Sequence, residues 1–176
     1  MAAAIFLLLA SGLIFYLVHR DKLPSWVQWE KKEETVSFTD GSSFTVRLSG
    51  KKAVIKKDTE TLWTSDPEWK VSDFVLGDID HDGETELLLL VWKRGSYGDY
   101  KPFWVEEDED TYSQHIFIYD LKPEEDGPAA PIWMSSKMGI DAASFFMDPE
   151  ENLHIVRPDG VDTVWRWESW GLTLQS

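Results

Sequence analysis

The stretch Asp78–Glu86 reads D-I-D-H-D-G-E-T-E, in which three aspartates alternate, a glycine follows and a glutamate ends the run. Carboxylates this close repel one another unless a cation lies between them. Ca²⁺ takes about six to eight oxygen ligands, so acids at every second position suit it, and the glycine permits the turn that directs them to one point. We therefore predict a Ca²⁺ loop. Its ligands would be the side chains of Asp78, Asp80, Asp82 and Glu86 and the backbone carbonyl of Glu84.

The residues on either side of this loop favour strands over helices. An EF-hand needs a glutamate at its twelfth position and a helix on each side, but that position is Leu89. Val71–Leu76 leads into the loop and Leu87–Trp92 leads out of it, and both are short, apolar and partly β-branched. The sequence therefore predicts a loop that joins two strands.

The loop resembles the calcium loop of FG-GAP and VCBS-type repeats, the units of integrin α-subunit propellers and of many bacterial surface proteins. Their pattern, D-x-D-x-D-G-x-x-D/E before an apolar strand, is matched by Asp78, Asp80, Asp82, Gly83, Glu86 and Leu87–Leu90. Glu84 departs from the apolar residue that usually follows the glycine. The resemblance runs from Leu62 to Trp92, and it implies propeller-like β units with bound Ca²⁺. Two alternatives stay open: an Asp-rich turn without metal, and an ion that only stiffens the fold.

Composition narrows the classes of function. The 176 residues carry a net charge of −15, which argues against a nucleic-acid partner, because phosphate recognition needs basic patches. The chain has no cysteine, so thiol catalysis and zinc–thiolate sites are excluded. No nucleophile elbow, phosphate-binding glycine loop or H-E-x-x-H motif occurs. These observations favour a non-catalytic module.

The N-terminus carries an uncharged apolar run, Ala2–Val18. A helix of this length spans about 26 Å, near the lower limit for a bilayer core. We predict that residues 1–22 form a membrane anchor, or a signal segment, with residues 23–176 as one domain outside the cytoplasm of a bacterial cell. Arg20 and Lys22 follow the run and by themselves favour the opposite orientation.

The rest of the chain predicts an all-β fold of short antiparallel strands. Trp63-x-Ser65 recurs as Trp133-x-Ser135, and each tryptophan precedes an aspartate, Asp78 or Asp148, by 15 residues. The repeat predicts two four-strand, partly propeller-like units at about 53–121 and 122–176. The second loop has no glycine, and Val156 replaces the final glutamate, so we expect a metal-free hairpin there.

The segment 93–105 between the two copies carries four aromatic residues. Long loops in compact domains are often functional, so these residues could form a stacking platform for a cell-surface glycan. The other interpretation is a loop that folds over the sheet and buries its aromatics. The candidate ligand-binding residues are Tyr97, Tyr100, Phe103 and Trp104. The main functional hypothesis is an anchored, calcium-binding adhesion, scaffold or accessory-subunit surface with a protein partner. The alternative is a carbohydrate-binding, or weakly glycan-active, domain.

Overall fold

A computed structural model describes residues 21–97, 101–122 and 127–175. Within these residues the fold is all-β, as predicted, with twelve antiparallel strands and no helix. Each group of four consecutive strands forms one meander sheet, here called sheet 1 (β1–β4), sheet 2 (β5–β8) and sheet 3 (β9–β12). The strands are β1 Lys32–Ser37, β2 Ser43–Ser49, β3 Lys52–Lys57, β4 Glu60–Thr64, β5 Lys70–Gly77, β6 Glu86–Arg94, β7 Tyr112–Leu121, β8 Ala129–Met134, β9 Ser144–Met147, β10 Leu153–Val156, β11 Asp162–Glu168 and β12 Gly171–Leu174.

The number of sheets differs from the two units that the repeat predicted. The breaks between sheets fall at Thr64–Lys70 and at Met134–Ser144, not near residues 53 and 121. Each W-x-S copy lies at the end of the fourth strand of a sheet, and each acidic loop follows the first strand of the next sheet. The 70-residue repeat therefore marks two junctions, and two junctions separate three sheets.

Sheet 2 lies in the middle and is buried on both faces. In β6, Leu87, Leu89 and Val91 pack against sheet 1, while Leu88 and Leu90 pack against sheet 3. Successive side chains of a strand point to opposite faces, so a strand covered on both sides has to be apolar throughout. This explains the unbroken L-L-L-L-V-W run.

The outer sheets alternate, because only one face of each is covered. In β2, Phe44, Val46 and Leu48 are buried against sheet 2, while Thr45 and Arg47 lie on the other face. Glu33 lies opposite Arg47 on β1 and forms an ion pair with it on that outer face. The polar outer face leaves sheet 1 at one end of the three-sheet stack.

The serine of each W-x-S copy bonds in the same way to a residue on the third strand of its sheet. The Ser65 amide donates to the carbonyl of Ala53 (2.9 Å), whose own amide donates to Ser65 Oγ (3.2 Å). Ser135 and Ile116 form the same reciprocal pair, at 3.1 and 2.9 Å. Both serines are buried, so each hydroxyl satisfies an amide that would otherwise lack a partner.

The tryptophan of each copy joins its sheet to the next one. Trp63 contacts Tyr119 on β7, with ring centroids 5.3 Å apart, and Trp133 contacts Trp167 on β11 at 6.3 Å. In both cases the fourth strand of one sheet touches the third strand of the following sheet. The repeat thus encodes how neighbouring sheets join.

The predicted anchor lies almost wholly outside the described residues, which begin at Asp21. Among the residues from there onward that the structure describes, no helix has the length and apolar character to cross a bilayer.

Candidate metal site

The acidic loop occupies the turn between β5 and β6. These strands pair antiparallel, and the last pair before the loop is Gly77 with Glu86. The prediction that two strands flank the loop is confirmed. The hairpin fixes both ends of the loop, because sheet 2 is the most buried part of the fold.

Asp78 holds the loop closed from within. Its Oδ1 accepts the amide of Asp82 at 2.9 Å, and its Oδ2 accepts the amide of Gly83 at 3.0 Å. Gly83 has φ +91°, in the left-handed region that favours glycine, so the sharp turn predicted at this position is present. A carboxylate has about four lone-pair positions, so both Asp78 oxygens can still accept from a further group.

Three carboxylates meet at the base of the loop. One oxygen each from Asp78, Asp80 and Glu86 lies within 4.8 Å of the other two. Glu86 is only 1% exposed, and its Oε2 accepts the amide of Ile79 at 2.9 Å. Asp80 Oδ1 is buried and has no hydrogen-bond donor. A buried carboxylate oxygen without a partner is costly, and a cation at this point would satisfy it.

The pKa values of two of these carboxyl groups are raised, because the charged forms are unfavourable at this position. Burial, with added repulsion from Asp80, Asp82 and Asp78, raises the pKa of Glu86 from 4.5 to about 8. Burial also raises the pKa of Asp80, followed by the charges of its acidic neighbours. A divalent cation would favour the charged forms and reverse both shifts.

The other two predicted ligands lie in the loop but outside this group. Asp82 is exposed, and its Oδ1 accepts the amide of Glu84 at 2.8 Å. The side chain of Glu84 is exposed as well, in agreement with a prediction that used only its carbonyl. The structure therefore brings together three of the five predicted ligand residues through their carboxylates.

Sequence reasoning missed two acids that lie beside the loop. Asp120 on β7 pairs in register with Glu86, its Oδ1 is buried without a donor, and its charge contributes to the raised pKa of Asp80. Glu151, from the turn between β9 and β10, accepts the amide of Asp78 at 3.3 Å. A Cβ at Gly77 would lie 2.8 Å from that carboxylate, so the glycine makes room for it.

The second loop is a hairpin turn between β9 and β10, as predicted, but protein donors surround its aspartate. Asp148 Oδ1 accepts the amides of Glu150 and Asn152, and its Oδ2 accepts Asn152 Nδ2 at 2.8 Å. His154 Nε2 lies 3.2 Å from the same Oδ2. These bonds, led by that of Asn152, lower the pKa of Asp148 to about 2. Asn152 and His154 thus occupy the positions that Asp82 and Glu84 occupy in the first loop.

The aromatic segment projects into solvent where it is described. Phe103 is 94% exposed and Trp104 is 69% exposed, and their rings contact each other edge to face at 4.8 Å. Tyr97 is partly exposed, and Tyr100 lies outside the described residues. The burial of these aromatics in a folded loop, which was the other interpretation, does not apply to Phe103 and Trp104.

Comparisons with known proteins provide no relative from which a function could be inferred. No family model matches the chain, and no curated protein and no solved structure shows significant similarity to it.

Proposed function

We propose that the chain is a non-catalytic, calcium-binding β-repeat module. Residues 1–22 would attach it to a membrane, and its three sheets would act outside the cytoplasm as an adhesion, scaffold or accessory-subunit surface. In this proposal the sheets form part of a propeller-like arrangement, which typically has four to eight blades, so further sheets would come from a partner.

The observation that carries the proposal is the unsatisfied carboxylate group at the base of the first loop. Asp80 Oδ1 has no donor, and one oxygen each of Asp78, Asp80 and Glu86 lies within 4.8 Å of the other two. The second loop supports the same interpretation by contrast. There the backbone and side-chain amides of Asn152 donate to the two oxygens of Asp148, so both oxygens already have partners.

Calcium would add stability by mass action, because the unfolded chain does not hold the three acids together. At a free calcium concentration 100 times the Kd, the gain is about 2.7 kcal/mol. For a domain of this size, that corresponds to a rise in Tm on the order of 5–10 °C. Extracellular calcium modules have a Kd of about 10⁻⁴–10⁻³ M, so about 10 mM CaCl₂ reaches this 100-fold excess at the tighter end of that range.

The test is thermal melting in EDTA and in millimolar CaCl₂. The wild type should melt higher in calcium, and Asp80→Asn should remove the difference. Asp141→Asn is the matched control, because Asp141 is exposed and lies outside the carboxylate group. A wild-type Tm that is the same in both buffers would remove calcium from the proposal.

Carbohydrate binding through segment 93–105 is the second candidate function. The exposure of Phe103 and Trp104 favours it, because the two rings contact each other and form one exposed aromatic patch that could stack on a sugar ring. Binding to a glycan array should be lost in Trp104→Ala and retained in Trp170→Ala. Trp170 is 80% exposed in the turn between β11 and β12, so it controls for the loss of an exposed indole. If no glycan on the array binds, the scaffold function is the only one of the two that remains.

A further inference from the structure

A cleft of about 730 Å³ lies between sheets 1 and 2, at the opposite end of the β5–β6 hairpin from the acidic loop. Its size is within the range of pockets that hold small molecules. Five basic residues line it: Lys51, Lys52, Lys70, Lys93 and Arg94. The acids in its lining are Asp66 and Glu68. The whole chain has only 17 basic residues against 32 acidic ones, so this is a local reversal of the charge of the protein.

Strand register brings these cations together. Lys51 and Lys52 lie at the turn from β2 to β3, and the amide of Val71 donates to the carbonyl of Lys51 at 3.0 Å, which joins that turn to sheet 2. Lys70 begins β5 and pairs near the end of β6, where Arg94 lies. Strands therefore fix the backbone positions of four of the cations, and the tight turn between β2 and β3 fixes that of Lys51.

Three of the ammonium groups are held by neutral partners. Lys51 Nζ lies 4.2 Å from the ring centre of Trp29, and Lys70 Nζ lies 3.7 Å from that of Tyr112. Lys52 Nζ donates to the carbonyls of Asp66 and Trp69, at 2.6 and 2.9 Å. Across residues 21–97, 101–122 and 127–175, these three lysines form no ion pair.

The two remaining cations are partly neutralised or buried. Arg94 forms ion pairs with Asp21 and Asp110, and its guanidinium carbon lies 4.7 Å from the ring centre of Tyr112. Lys93 is 8% exposed and donates to the carbonyl of Arg94 at 3.2 Å. Burial lowers the pKa of Lys52, and a bound anion would oppose that shift.

We propose that this cleft binds a small organic oxyanion, a ring compound that bears a carboxylate or phosphate group. Lys51, Lys52 and Lys70 supply the charge, because ammonium groups form strong, short hydrogen bonds to such oxygens. Trp69 and Tyr97 also line the cleft and offer apolar faces to the ring. Tyr97 is one of the residues that the sequence singled out for ligand binding. This proposal does not rest on calcium binding.

The test is isothermal titration calorimetry of the full chain with three probes that share one ring: glucose, glucuronate and glucose 6-phosphate. At least one of the two anions should bind about tenfold or more tightly than neutral glucose. Binding of glucuronate assigns a carboxylated ligand, and binding of glucose 6-phosphate assigns a phosphorylated one. Equal binding of glucose, or no binding of either anion at millimolar concentration, would overturn the proposal.

Variants identify the site. The double variant Lys51→Gln/Lys70→Gln should weaken the anion about tenfold or more, while Lys57→Gln, on the same sheet but outside the cleft, should leave the affinity unchanged. Equal affinity in the double variant and the wild type would refute the assignment. Asp80→Asn should bind the anion as the wild type does, so failure of the calcium site and failure of the cleft are separate results. Melting of each variant confirms that it is folded.

Discussion

Replacement of Glu86 by glutamine should stabilise the calcium-free protein and should weaken the stabilisation that calcium provides. In the metal-free protein the pKa of Glu86 is raised from 4.5 to about 8 by burial. The folded state then binds the proton more tightly than the unfolded state, so stability falls as pH rises from about 4.5 to about 8. A shift of this size corresponds to a loss of about 5 kcal/mol once pH has passed 8.

Glutamine is uncharged at every pH and keeps an oxygen that can accept the amide of Ile79. In EDTA at pH 8, Glu86→Gln should therefore be more stable than the wild type, by up to about 5 kcal/mol, and at pH 5 the two should be nearly equal. In calcium this advantage should shrink. The wild type gains about 2.7 kcal/mol when calcium is 100 times its Kd, and the variant has lost one of the three clustered carboxylates.

Urea unfolding followed by tryptophan fluorescence measures both effects, and the ten tryptophans provide the signal. Glu60→Gln is the matched control, because Glu60 is exposed on β4 and its replacement should leave both curves in place. The reasoning is refuted if Glu86→Gln is less stable than the wild type in EDTA at pH 8. It is refuted as well if calcium stabilises the variant as much as the wild type.

Three further changes test other parts of the fold. Ser135→Ala leaves the buried amide of Ile116 without its acceptor and should cost about 1–3 kcal/mol in urea unfolding, whereas Ser37→Ala on the exposed side of β1 should cost little. Leu88→Ala opens a cavity between sheets 2 and 3 and should cost about 2–5 kcal/mol by the same measurement. The hydrogen bond to Asp162, and then that to Asp148, raises the pKa of His154. The stabilisation of the folded state by protonated His154 is therefore fully present below about pH 6.5 and is lost as pH rises further. His154→Gln should accordingly reduce the difference in Tm between pH 6 and pH 8.

Each of these predictions has a result that contradicts it. A Ser135→Ala protein as stable as Ser37→Ala would mean that water or another group satisfies the amide. A Leu88→Ala cost below that of Val54→Ala, a change on the outer face of sheet 1, would place the core elsewhere. An unchanged pH dependence in His154→Gln would show that the His154 pairs contribute nothing to stability.

Local patterns allowed the strands, the hairpin at the acidic loop and the repeat to be predicted from sequence. A glycine and alternating acids fix a turn within a few residues, and the W-x-S copies act through contacts with neighbouring strands. The number of sheets could not be predicted, because sheet 1 is a meander that contains no acidic loop. The same limit applies to Glu151, which reaches Asp78 across 73 residues of chain, and to Asp120, whose place depends on the β6–β7 register.

The β5–β6 hairpin carries acids at its turn and cations at its open end, where Lys70 pairs with Trp92. At about 3.3 Å per residue, these ends are on the order of 25 Å apart. The hairpin is therefore an electric dipole that runs along the most buried sheet of the molecule. Asp21, the first described residue, forms an ion pair with Arg94 at the positive end. If the proposed attachment of residues 1–22 is to a negatively charged membrane, the positive end of the hairpin would face that membrane. The acidic loop would then point toward the bulk solvent.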